Sequence, residues 1–133
     1  MSRTCTIWLS LATLALLASA GPAGADPLPT RIGQCSRTTI ASIGTRLEDG
    51  ATHRPIPGSG SAVNFANGGY QVSYDTVSAI DHSRRGDPVT MCLVSKPKDC
   101  PPGDNRGMTY KTTNLRTKGA WTLPDSEHMC GGA

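Results

Sequence analysis

The residues of this chain that could do chemistry are few and scattered. His53, His82 and His128 share no ligand spacing, although Asp81-His82 and Asp125-Ser126-Glu127-His128 set carboxylates beside imidazoles, as a metal shell or a general base requires. Such adjacency is common in loops, so solvent-exposed histidines are expected, with neither a metal site nor a cofactor. Gly58-Ser59-Gly60 falls short of the G-x-S-x-G nucleophile elbow, which also needs a strand-to-helix turn in a much larger sheet. Ser95-Lys96-Pro97-Lys98 spells S-x-x-K, but that motif works at the start of a helix, and Pro97 here marks a turn. Arg85-Gly86-Asp87 spells an adhesion tripeptide that a turn between strands accounts for without a partner. No catalytic residue is expected.

Binding chemistry has better candidates. Residues 96–107 (KPKDCPPGDNRG) combine prolines, a cysteine and exposed charge, the makings of a rigid loop that presents Lys96, Lys98 and Arg106 at low entropic cost. A purely structural loop is an equally good expectation from sequence. Ser59 and Ser61, in the punctuation-rich stretch 54–61, form a second candidate contact.

The four cysteines beyond residue 25, Cys35, Cys92, Cys100 and Cys130, point to staples. Arg3 followed by an apolar run of about a dozen residues is too short to span a bilayer and suits a signal peptide. Helix breakers Gly21 and Pro22 follow, and Ala23-Gly24-Ala25 makes a small-x-small cleavage site, with Ala18-Ser19-Ala20 the alternative. Cleavage after Ala25 removes Cys5 and leaves an even count in a periplasmic or secreted chain, which reads as two structural disulfides. Four cysteines allow three connectivities. Cys92 and Cys100 are symmetric about Lys96, so a hairpin turning there favours Cys92–Cys100, leaving Cys35–Cys130 to join the ends.

The elements that must position these groups are strands. Residues 38–48 are rich in β-branched residues, with Ile40 and Ile43 too close for strict alternation, so a bulge is expected near Ser42 or Gly44. Residues 62–66 and 70–74 alternate around Asn67-Gly68, a strong local hairpin signal. Residues 76–83 continue that strand or make one helical turn. Further strands are expected at 89–95, 108–113 and 121–123. About six short strands in residues 26–133 give a single all-β domain, a small antiparallel barrel or sandwich stapled by disulfides. The core is thin: Leu, Ile, Val and Phe supply 16 of those 108 residues.

Charge is concentrated. Residues 84–118 hold eight Lys or Arg against three Asp. That half suits an anionic cell-envelope polymer, an anionic membrane surface or an acidic secreted protein. Nucleic acid is not expected, because the basic stretch lacks an interleaved aromatic platform and the chain is expected to be exported. No transmembrane segment is expected after residue 25.

Residues 59–94 and the pattern CPPGDNRG…TNLR…W…LPDSEHMCGGA resemble small exported bacterial proteins without an assigned activity. Ser59-Gly60-Ser61-Ala62, Phe65, Gly68 and Tyr70 look similar, over about a dozen positions, to the inhibitory loop of periplasmic C-type lysozyme inhibitors, which are small disulfide-bearing β-barrels. The second motif of that family, a Lys-Gly soon after the aromatic strand, is absent at Tyr74-Asp75-Thr76. Three functions are therefore in view. They are a non-enzymatic exported binding or envelope protein, an inhibitor of a lysozyme-like hydrolase, and a small secreted hydrolase using His128 with Asp125. The first is the expectation.

Overall fold

Alternating short runs become six antiparallel strands in the computed structural model, which describes residues 24–132. The expected signal segment, residues 1–25, thus lies outside the described residues except for its last two. The strands are β1 (Cys35–Thr45), β2 (Ser61–Phe65), β3 (Tyr70–Ser73), β4 (Pro88–Ser95), β5 (Thr109–Asn114) and β6 (Ala120–Pro124). One helical turn, α1 (Ser78–Asp81), precedes β4. Their spatial order is β3-β2-β1-β4-β5-β6.

β1 organises the sheet because it serves two partners. Its first half, Cys35 to Thr39, pairs with β4, and its second half, Ile40 to Thr45, pairs with β2. The register slips between Ile40 and Ser42, the bulge expected from the spacing of Ile40 and Ile43. Bulges bend a strand, and β3 comes round to pack against β6, so the sheet curls into a half-barrel. The Asn67-Gly68 turn joins β2 to β3, with Gly68 in the left-handed region at φ 83°.

The concave side holds the core: Ile40, Val63, Phe65, Ile80, Val89, Met91, Leu93, Tyr110 and Trp121. Two polar groups inside it are fully used. Gln71 is wholly buried on β3. Its amide nitrogen donates to the carbonyls of Tyr110 (2.7 Å) and Leu123 (3.0 Å), and its oxygen accepts from Thr112 Oγ1 (2.6 Å) and Trp121 Nε1 (2.8 Å). One side chain thereby ties the β3 side of the curl to β5 and β6. Asp87, with its side chain 3% exposed, accepts from both prongs of Arg116 (2.6 and 2.8 Å), from Asn114 Nδ2 (2.8 Å) and from the Arg84 amide (3.0 Å). That network clamps the turn after α1 to the β5–β6 hairpin. It also consumes the aspartate of Arg85-Gly86-Asp87, which cannot serve as an adhesion tripeptide.

The disulfides correct the expected connectivity. Cys35 pairs with Cys92 and Cys100 with Cys130. No hairpin turns at Lys96. The chain leaves β4 at Ser95 and returns only at Thr109, so Cys92 faces Lys111 on one side and Cys35 on the other. Cys35 and Cys92 are directly opposed, Cα to Cα 4.0 Å, and the distant cysteine of the tail meets Cys100 in the loop.

Candidate functional site

The 96–107 loop spans the gap between β4 and β5 and is held by its own chemistry. The Cys100–Cys130 bridge staples it to the C-terminal tail, the Cys130 amide donates to the Arg106 carbonyl (3.0 Å), and the Gly131 amide donates to Asp104 (3.0 Å). Arg106 folds back on Asp104 with two bonds, 2.9 and 2.8 Å. These donors hold the Asp104 carboxyl well below the usual carboxylate range, the Arg106 fork first among them. Asp125 does the reverse: burial pushes its carboxyl up, although Oδ1 accepts from the Gly107 amide at 2.8 Å.

This sorts the cations. Among the described residues, ion pairs engage Arg46 with Glu127, Arg84 and Arg116 with Asp87, and Arg106 with Asp104. Lys96 and Lys98 enter none of them, and Asp99 is the loop's other acid. Of the expected loop contacts, then, the two lysines are available, while Arg106 is spent on holding the loop's shape.

Ser59 and Ser61 sit elsewhere and serve the fold. Ser61 is 2% exposed and accepts from the Val77 amide (2.9 Å). Ser59 Oγ accepts from the Leu47 amide (3.1 Å) and donates to the Ile56 carbonyl (2.8 Å). Gly60 between them lies at φ 111°, and a Cβ there would collide with the Ser73 carbonyl oxygen, so the segment is pressed against the end of β3. The feature that projects is its neighbour, residues 47–58. All twelve are exposed. They form a small arm closed by a Glu48–Pro55 bridge and by Asp49, whose carboxylate accepts from the Ala51 and Thr52 amides. Arg46 fixes its root, donating to the Ser59 carbonyl (2.8 Å), bridging to Glu127 (3.3 Å) and lying 4.3 Å from the centre of the Tyr74 ring. The residues that carry the lysozyme-inhibitor resemblance belong to the β2–β3 hairpin and its lead-in, with Ser61 and Phe65 buried.

The histidines are dispersed. His53 lies on the arm, His82 turns its Nδ1 to the Ser78 carbonyl (2.7 Å) at the end of α1, and His128 is exposed in the tail. Asp125, the partner an enzymatic reading would give His128, is turned to Gly107. Among the described residues no three His, Cys, Asp or Glu side chains gather to hold a metal, and no helix is long and apolar enough to cross a membrane.

Sequence reading did not single out two cations that the register places on one face. Arg37 and Lys111 stand on the convex face of β1 and β5, each exposed and in none of the ion pairs. Alternation was the available signal, since each lies between two inward residues: Ser36 and Thr38, and Tyr110 and Thr112. No family model, no curated protein and no solved structure matches this chain.

Proposed function

We propose that this chain is a non-enzymatic exported binding protein that grips an anionic polymer of the cell envelope with the 96–107 loop. The observation that carries this reading is the sorting of charge in that loop. Arg106 is used to hold Asp104, a disulfide fixes the backbone, and Lys96 and Lys98 are left outside every ion pair of the described residues, on a preorganised support. Two disulfides suit an oxidising compartment, as the signal-like leader does. Ser78 Oγ does lie 3.3 Å from His82 Nδ1, but that nitrogen donates to the Ser78 carbonyl at 2.7 Å and so carries its proton, which leaves it no base for the hydroxyl.

The test is binding of the residue 26–133 protein to two soluble polyanions, polygalacturonate and polyphosphate, across a salt series. Lys96→Gln/Lys98→Gln should weaken both interactions several-fold at low salt and less at high salt, because exposed charges are screened over about 10 Å at 0.1 M. His82→Ala and His128→Ala should bind as the parent does. Absence of binding to either polymer, or loss of binding through the histidine changes alone, would refute the reading.

A further inference from the structure

The convex face of the β1-β4-β5-β6 sheet carries a pattern that composition does not show. Register sets Arg37, Thr90, Thr113 and Ala120 side by side in one row across four strands. The next row runs Cys35, Cys92, Lys111, Thr122, with the first two joined as the disulfide. Thr39 and Pro88 follow on the far side of the first row. Neither row contains an acid. Asp26 lies at the β1 edge with its carboxylate on the Arg37 amide (2.9 Å), and among the described residues the guanidinium of Arg37 is in no ion pair. The hydroxyls of Thr39, Thr90, Thr113 and Thr122 also enter none of the side-chain hydrogen bonds found among the described residues, whereas the inward Thr112 is bonded to Gln71 and the inward Thr38 accepts from the Asn67 amide. This strip therefore offers cations and hydroxyls that no ion pair or side-chain hydrogen bond among the described residues engages.

From these rows we infer that the convex sheet face is a track for an acidic polysaccharide, running from Arg37 across Lys111 toward the lysines of the 96–107 loop. The inference rests on the polyanion reading above and names its ligand class and the residues that extend its site. Charge complementarity selects an anion. Strand spacing of about 4.8 Å and a two-residue offset put the Cα atoms of Arg37 and Lys111 about 12 Å apart, within reach of one extended chain. Two cations about 12 Å apart on a convex surface give a single small anion little, so useful affinity requires many weak contacts made by one polymer. Unused hydroxyls favour a sugar chain over a bare phosphate chain. The strip carries no aromatic residue, and an anionic membrane would call instead for an amphipathic element with large apolar residues to insert.

The experiment compares four proteins in titrations against polygalacturonate, polyphosphate and phosphatidylserine vesicles. They are the parent, Arg37→Gln/Lys111→Gln, Lys96→Gln/Lys98→Gln, and the equal-charge control Arg54→Gln/Arg85→Gln, whose positions are exposed and off the strip. The expected result is preferential binding of the parent to polygalacturonate and about tenfold weakening in the sheet variant, with less than twofold in the control. Thr90→Val/Thr113→Val should weaken polygalacturonate and leave polyphosphate unchanged. All substituted side chains are at least partly exposed, and equal melting temperatures verify that the variants fold. If the sheet variant matches the control while the loop variant still weakens, the track is wrong and the loop reading stands. If neither polymer binds, both fall. Tighter binding to vesicles than to polygalacturonate overturns the choice of a glycan.

Discussion

Two aspartates in this protein are held by arginine forks of nearly the same geometry, yet the pairs stand in different relations to the chain. Asp87 meets Arg116 at 2.6 and 2.8 Å, and Asp104 meets Arg106 at 2.9 and 2.8 Å. The first pair joins residues 29 positions apart, and its carboxylate is 3% exposed; the second joins residues two apart, and its carboxylate is 20% exposed. Both carboxyls sit below the ordinary carboxylate range because an arginine donates to them. What differs is the consequence of losing the bond. Without the Asp87 carboxylate, Arg116 loses its fork, Asn114 one of its two acceptors and the Arg84 amide its side-chain partner. The hydrogen bonds then left between the α1 turn and the β5–β6 hairpin are Asn114 to Ser83 and Arg116 to the His82 carbonyl. Without the second, a surface loop still has its disulfide. Geometry alone does not rank an ion pair; the sequence distance it closes and the groups it satisfies do.

Gln71 sets the upper end of that scale, since it closes distances of about the same kind with four bonds and no charge. Gln71→Leu strands Trp121 Nε1, the Thr112 hydroxyl and two carbonyls, and should cost about 3 kcal/mol in chemical denaturation. A near-neutral result would mean that the polar tie across the curl is dispensable. Reduction of both disulfides should cost more still: each native bridge is worth about 2–4 kcal/mol, so the melting temperature should fall markedly on adding a thiol reductant. Asp87→Ala should lower it by roughly 10 °C, and Asp104→Ala by no more than about 2 °C. Equal effects would erase the contrast between the two pairs.

Acid offers a finer probe of the same contrast. The folded Asp87 carboxyl ionises more readily than its unfolded counterpart, so its contribution is complete above about pH 4 and disappears as pH falls below it. Asp125, pushed up by burial, works with the opposite sign, because its protonation on acidification relieves a cost of burial. A parent that loses stability steeply below pH 4, with Asp87→Ala showing a shallower slope, is the expected outcome. The smallest effect expected is that of Asp104→Ala on that slope.

Much of the fold was legible because its signals are local. The Asn67-Gly68 hairpin, the bulge after Ile40 and the strands at 89–95 and 108–113 each depend on a few adjacent residues, and each appears within a residue or two of its expected place. The disulfide pairing was not legible, because it depends on β4 docking beside the first half of β1, 57 residues away, and nothing near Cys92 announces that neighbour. The same limit hid Arg116 as the partner of Asp87. Lys96 and Lys98 could be picked out by composition. The engagement of Arg106, Ser59 and Ser61 could not, because each is satisfied by backbone groups or a partner whose position only the folded chain supplies.

The division of β1 between two partners also sets an order of assembly. Its second half meets β2 across one connecting stretch, and β3 follows through a tight turn, so the β1-β2-β3 meander closes loops of moderate length. Its first half must wait for β4, which arrives only after that meander, α1 and the Asp87 turn have been traversed. Contacts between distant parts of a chain form slowly, because the entropy of closing the loop is spent before any contact repays it. Oxidation of Cys35 with Cys92 is therefore a clock for the later of the two events. Samples trapped during refolding should show the β2–β3 hairpin protected against hydrogen exchange while Cys35 and Cys92 are still reduced.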